Sequence, residues 1–358
     1  MRSTLVKLLI GETAPADVAL TDWQSVIDQG RSAQVLGSLY GRLKQRGQLA
    51  DVPDEVLRHL VGQYRLAEKQ KRDALVESKR LLPAFAALDA PLILLKGAAY
   101  AISQQSCADG RQFSDIDLLI PQEKIEQLEA SLHWYGWAGT HQNDYDQRYY
   151  RQWMHEIPPL AHKTRGTVID IHHTLLPLTA RLKPDAAKLF EDAQAIAAPG
   201  AEGLWSLSLT DQLLHCATHV FMDSEVDHAF RDLLDFDGLL TLWQAQHSDW
   251  NELIARSAAM DLSMPVFLAL RYSRRVFNSP VPEWVEDACR PETLSAWRLK
   301  YLDWLYQKAL LPHHPDCLPR GAGFAQFSLF IRGHYLRMPF RTLFVHIFHK
   351  LFVAEKSD

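Results

Sequence analysis

Two aspartates two residues apart, Asp115 and Asp117, open the apolar run Ile116, Leu118, Leu119, Ile120. In an extended strand, residues i and i+2 leave the same face. The pair therefore sets two carboxylates side by side on a segment whose other residues favour burial. Burying adjacent like charges is costly unless a cation or a cluster of hydrogen bonds compensates them. A divalent metal is the simplest compensation, and oxygen-only ligands favour Mg²⁺ or Mn²⁺. Asp-x-Asp at a strand edge also occurs as turn or capping chemistry, so the neighbouring elements must decide. Upstream, Leu92-Ile-Leu-Leu-Lys-Gly-Ala-Ala-Tyr100 reads as a strand, a turn at Gly97 and a helix from Ala98. A glycine there lets backbone approach phosphate oxygens near a helix N-terminus.

The order strand, glycine turn, helix, then strand with Asp-x-Asp resembles the nucleotidyltransferase superfamily with the polymerase-β-like fold. More narrowly, it resembles the bacterial group described as uncharacterised nucleotidyltransferases. The residues that carry the resemblance are Leu95-Lys96-Gly97 and Arg111-Gln-Phe-Ser-Asp-Ile-Asp-Leu-Leu119. It implies an α+β fold, a small mixed sheet with flanking helices, set between N-terminal and C-terminal helical regions. The wider superfamily places Ser or Gly after the turn glycine, whereas this chain has Ala98. Backbone N–H groups at Gly97 and Ala98, the Ser114 neighbourhood and the cations Lys96 and Arg111 are left as the candidate phosphate ligands.

The resemblance also implies a third carboxylate on a later strand, matched by Asp170 in Thr167-Val-Ile-Asp-Ile-His-His-Thr174. On that β-branched segment Asp170 and His172 share a face. Simple pairing of Asp170 with His172 or a cross-strand base is the alternative. Three such carboxylates suit two-metal catalysis: Asp115 and Asp117 hold the ions, while Asp170 completes one site and accepts the attacking hydroxyl's proton. On sequence alone, Asp117→Asn relieves repulsion between acids, so metal-free melting is expected unchanged or slightly higher.

The 358 residues are 47% apolar, enough for a substantial core. A net charge of −5, from 38 basic and 43 acidic residues, speaks against a generic nucleic-acid surface, and no sequence-specific nucleic-acid partner is expected. A small-molecule or protein acceptor is favoured. Cys107, Cys216, Cys289 and Cys317 are widely spaced, which fits reduced thiols. No secretory signal or 18-residue apolar run is read, giving a soluble, cytoplasmic, bacterial-type expectation.

Helical periodicity marks residues 1–88, with a helix start at Pro53-Asp54-Glu55 and a kink or break at Pro83. Residues 89–207 are read as the α/β core, including strand-like segments at Tyr149 to His155 and Val168 to His172. The aromatic stretch Tyr145 to Trp153 is either edge packing or a base-stacking platform. Residues 208–358 are read as a C-terminal helical domain. It opens with His215 and His219 one turn apart, a spacing compatible with a metal site but lacking the Glu of His-Glu-x-x-His. The resemblance instead makes His172, His215, His219 and Arg231 an active-site wall, and plain core histidines remain open. Residues 320–353 are basic and aromatic, fitting either a core helix with a basic outer face or a peripheral membrane or anionic contact.

The resulting expectation is metal-dependent transfer of a nucleoside monophosphate from an NTP to a hydroxyl or phosphate of an unknown acceptor. The alternatives are a catalytically silent nucleotide sensor or assembly protein and, more remotely, a metallohydrolase using His215 and His219.

Overall fold

The computed structural model describes residues 2–86, 88–140, 144–312, 314–315 and 318–339. The chain begins with α1 (Thr4–Ile10), α2 (Leu20–Ser32), α3 (Leu36–Gln45) and the long α4 (Asp54–Phe85). Pro53 precedes α4, and Asp54 and Glu55 fill its first turn, where carboxylates favour the helix dipole. Val56, Leu60, Ala67, Ala74 and Leu81 form one buried stripe along it. The break expected at Pro83 does not occur. Pro83 lies in the last turn, and burial of Leu81, Ala84 and Phe85 holds the helix through the one hydrogen bond that proline removes.

The core follows as β1 (Leu92–Leu94), α5 (Lys96–Ile102), β2 (Asp115–Leu119), α6 (Ile125–Trp134), β3 (Trp137–Gly139), α7 (Asp144–Trp153), β4 (Leu160–His162), β5 (Val168–His172), α8 (Ala186–Glu191), β6 (Gln194–Ala195) and β7 (Leu204–Ser206). The strands form one mixed sheet in the order β3-β4-β5-β2-β1-β7-β6. β2 runs parallel to β5 and antiparallel to β1, so the Asp-x-Asp strand is central and its apolar residues are covered on both faces. This is the α+β architecture expected from the sequence.

The strand read at Tyr149 to His155 is corrected: α7 continues to Trp153. Aromatic residues at 149, 150 and 153 recur at helical spacing, which the aromatic β-propensity of the stretch obscures. Tyr149 packs edge-on against Trp153, and Arg151 donates to both carboxylate oxygens of Glu129 at 2.7 Å, tying α7 to α6.

Beyond the sheet come α9 (Leu209–Met222), α10 (Ala229–Gln246), α11 (Trp250–Ala259), α12 (Ser263–Phe277), α13 (Glu283–Cys289), α14 (Ala296–Ala309) and α15 (Ala322–Arg337). The Ser208 side chain caps α9 by accepting from the Asp211 backbone. α9 and α10 are buried around most of their circumference and pack on each other beside the sheet. On α15, Phe324, Phe327, Phe330, Ile331 and Tyr335 are exposed, so the described part of the basic tail presents an aromatic outer face. Residues 340–353 of that tail lie outside the described residues. Cys107, Cys216 and Cys289 are free thiols, and Cys317 likewise lies outside them.

Candidate active site

Parallel pairing of β2 with β5 assembles the acidic cluster. Its register sets Asp115 against Val168, Asp117 against Asp170 and Leu119 against His172. Register partners leave a sheet on the same face. Accordingly, carboxylate oxygens of Asp115, Asp117 and Asp170 lie within 4.8 Å of one another.

The turn after β1 supplies the nearest cation. Lys96 begins α5 with a φ of 46°, a left-handed conformation costing about 1–2 kcal/mol for a residue with a Cβ. From there its Nζ donates to Asp117 Oδ1 at 2.7 Å. His172 Nε2, 2.9 Å away, donates to the same oxygen in the tautomer protonated there. Burial alone would raise the Asp117 carboxyl, but Lys96 and His172 outweigh burial and hold it well below the usual range. For Lys96, burial works downward and the Asp117 charge overcomes it, keeping the amine above its ordinary value.

Asp170 has the opposite environment. Burial first, then the charges of Asp117, Glu156 and Asp115, push its carboxyl up to about 8. Its Oδ1 is buried and has no hydrogen-bond partner among the described residues. The cluster is thus under-compensated at one carboxylate, the condition that a bound cation relieves.

A cleft of about 320 Å³ is lined by Asp115 and Asp117, but not by Asp170, together with Lys96, Gly97, Ser114, His219, His228 and Arg231. Gln34, in the turn between α2 and α3, and Gln70 of α4 also line it. Ala98 is buried in α5 and does not line the cleft, contrary to the phosphate-contact expectation.

Arg111 reaches the cleft but is not a free cation. Its Nε donates to Asp235 Oδ2 at 2.6 Å, and its Nη2 lies 3.8 Å from Asp232 Oδ1. Its guanidinium is thus committed to buried acids, as Lys96 is to Asp117 and Arg231 to Asp232. Gly97 is required on its account: a Cβ there would overlap the Arg111 guanidinium. Arg231 pairs with Asp232 at 2.9 Å and also donates to Gln34 Oε1 at 2.7 Å.

His215 and His219 diverge despite their spacing. His219 faces Asp223 and Asp232, at 3.8 and 3.4 Å, and lines the cleft. His215 is buried with its ring edge-on to His172, 6.5 Å between centroids. Burial, then Lys96 and His172, depress its pKa well below the usual histidine value. Neither belongs to a metal-competent group among the described residues, which removes the geometric basis for the hydrolase alternative.

Sequence reasoning missed Glu156, Gln34, His228, the role of His155 and the pairing of Asp235 with Arg111. The adjacent His155-Glu156 pair was the one local signal, hidden by reading its segment as a strand.

A mixed α+β sheet with three carboxylates converging beside a cation-lined cleft is the layout of a nucleotidyltransferase core. The chain belongs to the uncharacterised nucleotidyltransferase family, whose model matches residues 19–278. Neither a curated protein nor a solved structure matches it. The family places the chain among transferases of nucleotidyl groups, for which an NTP is the substrate and divalent metals are the general cofactors. Among the described residues no helix is long and apolar enough to cross a membrane.

Proposed function

We propose that this protein transfers a nucleoside monophosphate from an NTP to a hydroxyl or phosphate of a small-molecule or protein acceptor, with Mg²⁺ or Mn²⁺ held by Asp115, Asp117 and Asp170. The observation that carries the reading is the register of Asp117 opposite Asp170 with Asp115 beside them. The donor set fits the cofactor: three carboxylates converge, and one has a buried oxygen without a partner among the described residues. A divalent ion there supplies positive charge for the phosphates and for the attacking oxygen.

The chain's own residues do the rest. Lys96 and Arg231, which both line the cleft, draw the triphosphate in, and Ser114 offers a hydroxyl at its rim. Arg111 acts as a positioning residue that fixes the glycine turn. Asp170 in its ionised form receives the acceptor's proton; its metal-free carboxyl, pushed up to about 8, first releases its own. His172 orients Asp117. The exposed aromatic face of α15 and its flanking cations support a peripheral contact with an anionic surface or partner.

One observation favours a second reading, a nucleotide sensor without turnover: Lys96 and His172 already satisfy Asp117 in the absence of metal. Incubation with labelled NTPs, Mg²⁺ and cell extract separates the two. A label transferred by the unsubstituted protein and lost in Asp117→Asn is the expected result. NTP binding without transfer under every acceptor condition would leave the sensor.

A further inference from the structure

We infer that His155, Glu156 and His172 form a second cation site, nitrogen-rich and distinct in chemistry from the aspartate cluster, that takes a zinc-like first-row transition ion in preference to Mg²⁺. The chain approaches this point twice. After α7 it turns so that Glu156 bridges antiparallel to His172 at the end of β5, and His173 N donates to His155 O at 2.9 Å. Those backbone bonds fix the three side chains together although His155 and His172 are far apart in sequence.

One ligand atom from each residue falls within 4.8 Å of the others. Glu156 Oε2 lies 3.6 Å from His172 Nε2 and 3.9 Å from His155 Nε2. These separations are too long for hydrogen bonds. They approach the roughly 3.3–3.5 Å between ligand atoms of a tetrahedral ion with bonds of about 2.0–2.2 Å. The imidazole rings are 5.2 Å apart and tilted by 40°.

A cation here would take the Nε2 atoms that face Glu156; among the described residues the Nδ1 of each ring is buried without a hydrogen-bond partner and is left so. Two imidazoles and one carboxylate are a borderline donor set suited to Zn²⁺, Co²⁺ or Fe²⁺, whereas the all-oxygen aspartate cluster suits Mg²⁺.

The two sites meet at His172. Its Nε2 is the atom that otherwise donates to Asp117 Oδ1. An ion taking that nitrogen withdraws a hydrogen bond from Asp117, so occupancy of one site changes affinity at the other, reciprocally.

The test uses the full chain stripped of metal, then saturated with Mg²⁺, with Zn²⁺ binding followed by calorimetry. One Zn²⁺ is expected, its affinity falling about tenfold or more in His155→Ala and in Glu156→Gln. Asp115→Asn, outside the site and coupled to it only through Asp117, should change it by less than either. Unchanged affinity in His155→Ala overturns the proposal, as does an equal loss in Asp115→Asn, the imidazoles then serving only to orient Asp117. Co²⁺ added to the unsubstituted, Mg²⁺-saturated protein gives a readout that needs no variant to fold. Intense visible bands from a nitrogen-ligated, low-coordinate ion are expected, and the weak spectrum of an all-oxygen octahedral ion overturns the site.

Discussion

Asp117 and Asp170 stand opposite each other on parallel neighbouring strands, yet the fold gives them opposite acidities. Lys96 and His172 overcome burial at Asp117 and keep it ionised, while burial and surrounding acids push Asp170 up to about 8. Environments that drive two carboxylates apart mark a division between a fixed anion and a proton acceptor.

Metal affinity should therefore depend on pH through Asp170. Below about 8 the metal-free carboxyl carries a proton that an ion must displace, so Mg²⁺ or Mn²⁺ affinity rises with pH and levels off above that value. Calorimetry at pH 7 in buffers of differing ionisation enthalpy should register release of about one proton per ion. Asp170→Asn should abolish this release. Equal release in both proteins would remove Asp170 from the metal set.

Stability in chelator should carry the same signature. The Asp170 carboxyl is pushed from its ordinary 3.8 up to about 8 by folding, so between them the folded state binds the proton more tightly than the unfolded state. Its contribution is full below the lower value and is lost as pH rises through the upper one. The Tm of the metal-free protein should fall across this window more steeply than that of Asp170→Asn. Parallel Tm curves would contradict the raised pKa.

Asp117→Asn should abolish nucleotide transfer and also lower stability, by on the order of 1–3 kcal/mol. This reverses the sign expected from sequence. Repulsion between acids is outweighed by the Lys96 ion pair at 2.7 Å, and the substitution leaves that amine without its anion. Urea denaturation in chelator measures the change, and a stabilised variant would show that repulsion dominates after all.

Arg111 and Arg231 should separate into stability and binding. Arg111→Ala strands Asp235 in the interior and should cost about 3–5 kcal/mol. Adding Asp235→Asn should recover part of the loss. Arg231→Ala should leave most stability intact and weaken NTP binding about tenfold, roughly 1.4 kcal/mol. Unchanged NTP affinity in Arg231→Ala would place the triphosphate elsewhere.

Local sequence determined the parts of this protein that depend on local periodicity. Alternation placed Asp115 and Asp117 on one face, and Asp170 with His172 on another strand. The Pro53-Asp54-Glu55 and Ser208 signals marked helix starts, and the Leu-Lys-Gly and Ser-Asp-Ile-Asp motifs carried the family. Lone local cues misled where a neighbour outside the segment set the outcome: β-prone aromatics form α7, and Pro83 sits inside α4 because its flanks are buried.

Only the tertiary structure decided which groups meet. Strand order brings β5 beside β2 and so Asp170 beside Asp117. The packing of α10 delivers Asp235 to Arg111, converting a candidate phosphate ligand into a support for Gly97. The left-handed turn aims Lys96 at Asp117, and a bridge to β5 delivers His155 and Glu156. Such pairings join residues 16 to 124 positions apart, and no short window contains both partners. They follow from how the whole chain buries its apolar faces, which fixes the sheet order and helix contacts before any charged side chain finds its partner.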